Sequence, residues 1–224
     1  MNLADSLRLH ARWSVDLDAA QCARVVEDIT VHRVEAGAQL CRKGEDVDAW
    51  IGVMAGLVKL SSSLPDGRTM TFTGVPPGGW FGEGSLLKRE PRKYAAVALR
   101  DSTVARLPRA TFEWLLGTSL PFNRFLLLQL NERLSQFIGL VEHERLLDPD
   151  AKLARSITHL FNPILYPGIG PRLEISQAEL ALLVGISRQR ANQSLRTLEM
   201  VGLLAVEYAA IRVLDLEGLR RYGL

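Results

Sequence analysis

Six side chains between residues 187 and 193 can hydrogen-bond to base edges or phosphates: Ser187, Arg188, Gln189, Arg190, Asn192 and Gln193. A guanidinium fork matches the two acceptors of a guanine, and a carboxamide can pair with adenine. Serine, asparagine and arginine also hold phosphate oxygens, which fix register without reading sequence. The chemistry within reach of this cluster is recognition of a duplex, not the making or breaking of bonds. From these residues alone, a helical hairpin with a solvated polar face is the other reading.

Two helices must position the cluster. Ser176 can cap a short helix, and Glu179 three residues on completes a capping box. Leu180, Leu183 and Val184 recur at helical spacing, and Gly185 follows where a helix ends at positive φ. Ser187 caps a second helix in which Ala191, Leu195 and Leu198 share one apolar face. Two helices joined by Gly-Ile-Ser make a helix-turn-helix, and the second is the element suited to the major groove. Residues 202–215 then read as two short strands around a turn, a wing.

The remainder of the chain divides by pattern. Asp16–Glu27 reads as an amphipathic helix capped by Asp16, with Trp13 packed onto it. From Ile29 to Leu107 come short β-rich runs: Ile29–Val34, Gln39–Arg42, Ala49–Met54, Leu57–Ser61, Thr69–Val75, Tyr94–Leu99 and Thr103–Leu107. Glycine and proline breaks, Pro65-Asp66-Gly67 among them, separate these runs, which predicts a small sandwich or jelly roll. A short helix follows from Arg109 to about Gly117, then a break at Pro121 and a long helix to about Leu147. In the long helix Leu127, Leu130, Leu134, Phe137 and Val141 alternate by three and four residues, a seam for a partner chain. Leu126, Leu128 and Ile138 are expected to face the chain's own β domain. A helix over about 150–162 and a loop over 162–171 lead into the helix-turn-helix, and residues 216–224 form a last short helix.

Composition excludes several classes. The 27 Lys and Arg against 25 Asp and Glu are too evenly balanced for a polycation. Residues 149–224 carry nine against seven, a weak basic bias. Cys22 and Cys41 suit a reducing compartment better than a disulfide framework or metal knuckle. No apolar run is long enough to span a membrane and no signal-peptide core is visible, so a cytoplasmic location without membrane partners is expected. His10, His32, His143 and His159 have no spacing that singles out a haem ligand, no iron–sulfur cluster is expected, and no catalytic constellation stands out.

A jelly roll, a long dimer-type helix and a winged helix-turn-helix, in that order, resemble the cyclic-AMP receptor protein/FNR family of bacterial transcription regulators. Gly44-Glu45-Asp46, Gly56-Leu57-Val58-Lys59-Leu60, Phe81-Gly82-Glu83-Gly84-Ser85-Leu86 and Val184-Gly185-Ile186-Ser187-Arg188 carry the resemblance. It implies an α+β fold with a jelly-roll sensor domain (1–118), a dimerisation helix (119–147) and a winged helix-turn-helix domain (148–224). It also implies a homodimer on an inverted repeat of double-stranded DNA, RNA polymerase as a further partner, and control by an effector at the β-rich domain.

The resemblance fails at the effector site. In the family's cAMP binders a Gly-Glu pair meets the ribose, and an Arg followed by Ser or Thr meets the phosphate. Gly82 and Glu83 are present and Arg92 falls at the Arg position, but Lys93 replaces the hydroxyl residue and Tyr94 the small one. Phe137 and Ile138 fall where the dimer helix would offer hydroxyls to the base. The expectation is a cAMP site that is not intact, with an unknown effector. Arg92 and Lys93 either hold an anion or sit in a solvated loop, and Glu83 then caps backbone donors in its Gly-rich turn. A cyclic-nucleotide regulator with a retuned pocket, and an effectorless interaction module, are the alternatives.

Overall fold

The computed structural model describes residues 10–63, 69–146 and 148–223, the side chains of 142–146 excepted. The Pro65-Asp66-Gly67 turn, Leu147, Leu224 and the side chain of His143 lie outside the described residues.

Two four-stranded antiparallel sheets form the β domain. One has the order β1 (Thr30–Val34), β8 (Ser102–Pro108), β3 (Ala49–Ala55), β6 (Trp80–Phe81). The other has the order β2 (Gln39–Cys41), β7 (Ala95–Ala98), β4 (Val58–Ser63), β5 (Thr69–Val75). Non-consecutive neighbours in both sheets give the jelly-roll winding that the alternating runs predict. β6 has no counterpart among the predicted runs, since two residues carry no periodicity and only pairing with Ile51 and Gly52 defines the strand.

β3 shows why this sheet needs helices on its outer face. Ile51 and Val53 enter the core between the sheets with Val58, Phe81 and Val104. Trp50 and Met54 point the other way, into a second core with Trp13, Trp80, Phe112 and Phe122. A strand buried on both faces has no polar side, so its sequence is apolar throughout. Helices α1 (Ala19–Asp28), α3 (Arg109–Thr118) and α4 (Leu120–Leu146) supply that cover. Trp13 therefore packs into an aromatic cluster, its ring 5.1 Å from Trp80 and 5.5 Å from Phe122, and not simply onto the following helix. Gly52 is needed there because a Cβ at this position would sit 2.4 Å from the Trp80 ring. The cap of α1 is Asp18, not Asp16: its carboxylate accepts from Gln21 N at 2.8 Å, and Gln21 returns the bond.

α5 (Pro149–His159) begins at Asp148, whose carboxylate accepts from Asp150 N and Ala151 N. Next come β9 (Arg172–Leu173), α6 (Gln177–Val184), α7 (Arg188–Met200), the β10 (Leu204–Glu207)–β11 (Ala210–Val213) hairpin, and α8 (Leu216–Arg221). β9 pairs with β11 and extends the wing to three strands. The C-terminal core gathers Leu153, Ile157, Leu180, Ala191, Leu195 and Leu198, and it takes in Leu57 from the β domain.

α4 departs from its expected packing. Leu126 is buried against the β domain, as the spacing predicts. Leu128 and Ile138 are exposed, because α4 turns its buried edge through Phe122, Leu126, Gln129 and Gln136 instead.

Candidate nucleic-acid interface and effector pocket

The helix-turn-helix is set by local hydrogen bonds. Ser176 Oγ accepts from Glu179 N at 3.2 Å while Ser176 N donates to the Glu179 carboxylate at 2.6 Å. Gly185 takes φ 75°, which lets its own N–H and that of Ile186 both reach Ala181 O. Ser187 Oγ then accepts from Arg190 N at 3.2 Å and starts α7. With Ala191, Leu195 and Leu198 fully buried, the opposite face of α7 presents Arg188, Gln189, Gln193 and Arg196 to solvent.

The remaining members of the predicted set lie differently. Arg190 turns back to Asp150 on α5, with Nη2 donating at 2.7 Å, and Ser194 Oγ donates to the same oxygen at 2.5 Å. This pairing aligns α7 on α5 and takes Arg190 off the exposed face. The Ser187 hydroxyl serves as the helix cap, and Asn192 is half-buried beside the exposed row. Arg196 joins that row although it stands outside the predicted set. Its position, three residues after Gln193 and four after Asn192, is the signal that could have found it.

A second interaction ties this unit to the β domain. Arg100, in the turn between β7 and β8, donates through Nε and Nη2 to both Glu179 carboxylate oxygens at 2.9 and 2.6 Å. Burial alone would raise the Glu179 pKa, but the bonds from Arg100 and Ser176 outweigh it and hold the pKa below the ordinary 4.5.

The Gly82–Glu83 turn opens α2 (Glu83–Lys88), a short helix. Glu83 is 3% exposed and does not cap backbone donors. It accepts from Trp50 Nε1 at 3.3 Å and from Arg133 Nε of α4 at 2.8 Å. Arg133 also donates to Trp80 O. Burial works against the Arg133 charge, yet Glu83 more than compensates and raises its pKa. Arg92 is likewise 3% exposed, which overturns the solvated-loop reading. Its Nη2 donates to Ala49 O at 3.1 Å, Asp48 lies at 3.8 Å, and Nη1 lacks an acceptor beside the Gly82 backbone. Lys93 is exposed and paired with Glu90 at 2.8 Å, so it does not join Arg92. The Tyr94 ring stands 6.4 Å from Phe81, and burial together with Glu83 raises its hydroxyl pKa. Phe137 and Ile138 are exposed on α4, with Phe137 edge-on to Phe72.

Residues 31–119 match the model of a cyclic nucleotide-binding domain, and residues 151–222 match that of a Crp-like helix-turn-helix domain. The transcriptional regulator SdrP of Thermus thermophilus is 31% identical over 176 residues, 75% of this chain and 80% of that protein. The chain belongs to the CRP/FNR family of transcriptional regulators. Like its relatives in that family it is a DNA-binding transcriptional regulator. The cAMP-activated global transcriptional regulator CRP of Haemophilus influenzae is 25% identical, over 78% of this chain and 79% of that protein. Among solved structures, FixK2 of Bradyrhizobium japonicum shares the fold with a TM-score of 0.69 at 18% identity, covering 88% of this chain and 98% of that one. A CRP/FNR-family regulator from Thermus thermophilus gives 0.59 at 26%, covering 85% and 96%. No described helix is long and apolar enough to cross a membrane.

The Arg100–Glu179 pair gives this CRP/FNR protein a measurable pH signature. A carboxylate whose folded pKa is depressed adds stability above its unfolded pKa, and that stability fades as pH falls through the folded value. Arg100→Met should cost about 1–3 kcal/mol near neutrality, by urea midpoint. The gap to the parent should shrink in acid below pH 4.5 as Glu179 takes up its proton. A gap that stays constant across pH would show that the pair does not carry it.

Proposed function

We propose that the protein binds an inverted repeat of double-stranded DNA as a homodimer, with residues 148–224 as the DNA-binding domain, 119–147 as the dimerisation helix and 1–118 as the sensor domain. The observation that carries this is the division of α7. Its apolar face is fully buried, while Arg188, Gln189, Gln193 and Arg196 form one exposed face rich in donors. A helix that packed protein would have little use for free guanidinium forks at both ends of that face. Arg188 reads a guanine, Gln193 pairs with adenine, and Gln189 relaxes any demand for a cytosine amino group. Arg196 and Asn192 contact phosphate, and Arg190 acts by holding α7 on Asp150.

Dimerisation rests on α4, whose Leu127 is 69% exposed and whose Leu134, Ile138 and Val141 follow it along one stripe. Leu130 is half-buried and Phe137 leans toward Phe72, so these two members of the seam that the sequence spacing defines border the exposed stripe. Ile138, outside that seam, joins it. Full burial of each such side chain supplies about 1.5–3 kcal/mol, enough to outweigh the cost of association. Two-fold symmetry would set the α7 helices roughly 34 Å apart, one DNA turn. RNA polymerase is a further partner on family grounds alone.

The effector is read as something other than cAMP. Arg133 already satisfies Glu83, Lys93 is tied to Glu90, and Phe137 and Ile138 offer no hydroxyl. A polar group of the nucleotide buried without its hydrogen-bond partner costs about 1–3 kcal/mol, and more than one would go without here. The free Arg92 Nη1 keeps a second reading open, a cyclic-nucleotide regulator with a retuned pocket.

Selection of binding sites from random duplexes tests the interface. A palindromic consensus is expected, and Arg188→Ala should relax one base pair per half-site at a cost of about 1–3 kcal/mol. A consensus unchanged by that substitution would refute the docking. Leu134→Asp should convert dimers to monomers by light scattering and sharply weaken DNA binding, because each half-site then binds alone. A monomeric parent would remove the basis for this. Calorimetric titration with cAMP should show no binding in the micromolar range, and micromolar or tighter affinity favours the retuned-pocket reading.

A further inference from the structure

Between the β domain and the helix-turn-helix lies a groove of about 820 Å³, apart from the Glu83 site. Phe72 on β5, Phe137 and Leu140 on α4, and Leu183 on α6 make its walls apolar. Its floor is α5, where residues 152, 155, 156 and 159 share one face at helical spacing and all line the groove. Arg155 on that face is only 6% exposed, and its Nε and Nη2 reach no acceptor. A buried guanidinium stays charged, and donors left without partners in such a setting are costly. Lys59 from β4 and Lys152 from α5 are further cations of the lining, and among the described lining residues there is no carboxylate.

We infer that this groove binds a small amphipathic carboxylate, its apolar body between β5 and α4 and its anion on Arg155. A carboxylate accepts two parallel bonds from a guanidinium fork, which is the geometry that orphaned Nε and Nη2 donors require. The side chains of Phe72, Phe137, Leu140 and Leu183 offer no hydrogen-bond partner, so the part of a ligand that lies between them is apolar. A ligand in this position touches the β domain, the α4 helix and the first helix of the DNA-binding unit at once. It thus names an effector class for the regulator proposed above, and rests on that reading only for its regulatory meaning.

Decanoate below its micelle concentration is the probe, titrated calorimetrically into the full chain without DNA, with decanol and acetate as controls. Saturable decanoate binding is expected, with decanol and acetate each weaker by about tenfold or more. Arg155→Met, checked for folding by thermal melting, should weaken decanoate by a similar factor. Thr73→Phe, which fills the groove from the sheet side, should do the same if Arg155→Met does not fold. The inference is overturned if decanoate does not saturate, if decanol binds as well, if the folded variants bind like the parent, or if uptake vanishes as the chain dimerises, which would make a second copy the occupant. Because no DNA is present, such a failure leaves the reading of α7 untouched.

Discussion

The buried carboxylate of Glu83 is the constraint on which the arrangement of domains depends. It sits at the start of α2, nearly sealed from water, and must find donors there or be neutralised. Trp50 of β3 supplies one and Arg133 of α4 the other, so sheet, turn and long helix meet at a single group. Breaking such a pair from one side leaves a charge stranded in low dielectric, which makes the contact directional as well as strong. With Arg133 fixed on Glu83 and on Trp80 O, the rotation of α4 is set, and so is the side of the helix that carries Leu127, Leu134, Ile138 and Val141 outward.

From there the placement of α7 follows through two further contacts. Arg100 clamps Glu179, which is also the capping-box acid of α6, so one carboxylate serves both the helix start and the domain junction. Leu57, from the β3–β4 turn, enters the C-terminal core. A polar latch and an apolar peg thus hold the same unit at different points. β5 and α6 are also in direct contact, with Leu183 lying against Gly74.

How much of this is legible in the sequence depends on how local each determinant is. The Ser176–Glu179 box, the positive φ at Gly185 and the buried face of α7 are all fixed within a few residues, and can be read directly. The strand runs are legible too, because alternation and turn residues mark them without reference to partners. Asp16 and Asp18 are equally good caps by type, and only the position of Gln21 three residues after Asp18 separates them. Arg92 misleads for a different reason. Its charged neighbours suggest solvent, but the carbonyl that draws it inward belongs to Ala49, 43 residues away. Glu83 and Arg133 are 50 residues apart, and Arg100 and Glu179 are 79 apart. Ion pairs of that span leave no periodic trace in a chain, since each partner alone is an ordinary surface residue.

The same long-range pairing changes how the exposed face of α7 balances affinity against specificity. Arg190 belongs by type to the basic set of that helix, yet Asp150 holds it at 2.7 Å and Ser194 shares the same oxygen. A duplex seeking Arg190 for a phosphate would have to break that pair and strand Asp150, so the charge is not available cheaply. The free cations on the face are then Arg188 at its start and Arg196 two turns on. Each phosphate neutralised contributes about 0.9 to the logarithmic salt dependence of binding, so a helix with fewer free cations binds non-specific DNA more weakly. Gln189 and Gln193 lie between the two arginines and carry no charge, so under the proposed docking they would add base contacts without adding that non-specific attraction. Under the proposed docking the face is weighted toward reading sequence, and the proposed pairing of two copies along α4 would restore through effective concentration the affinity it gives up.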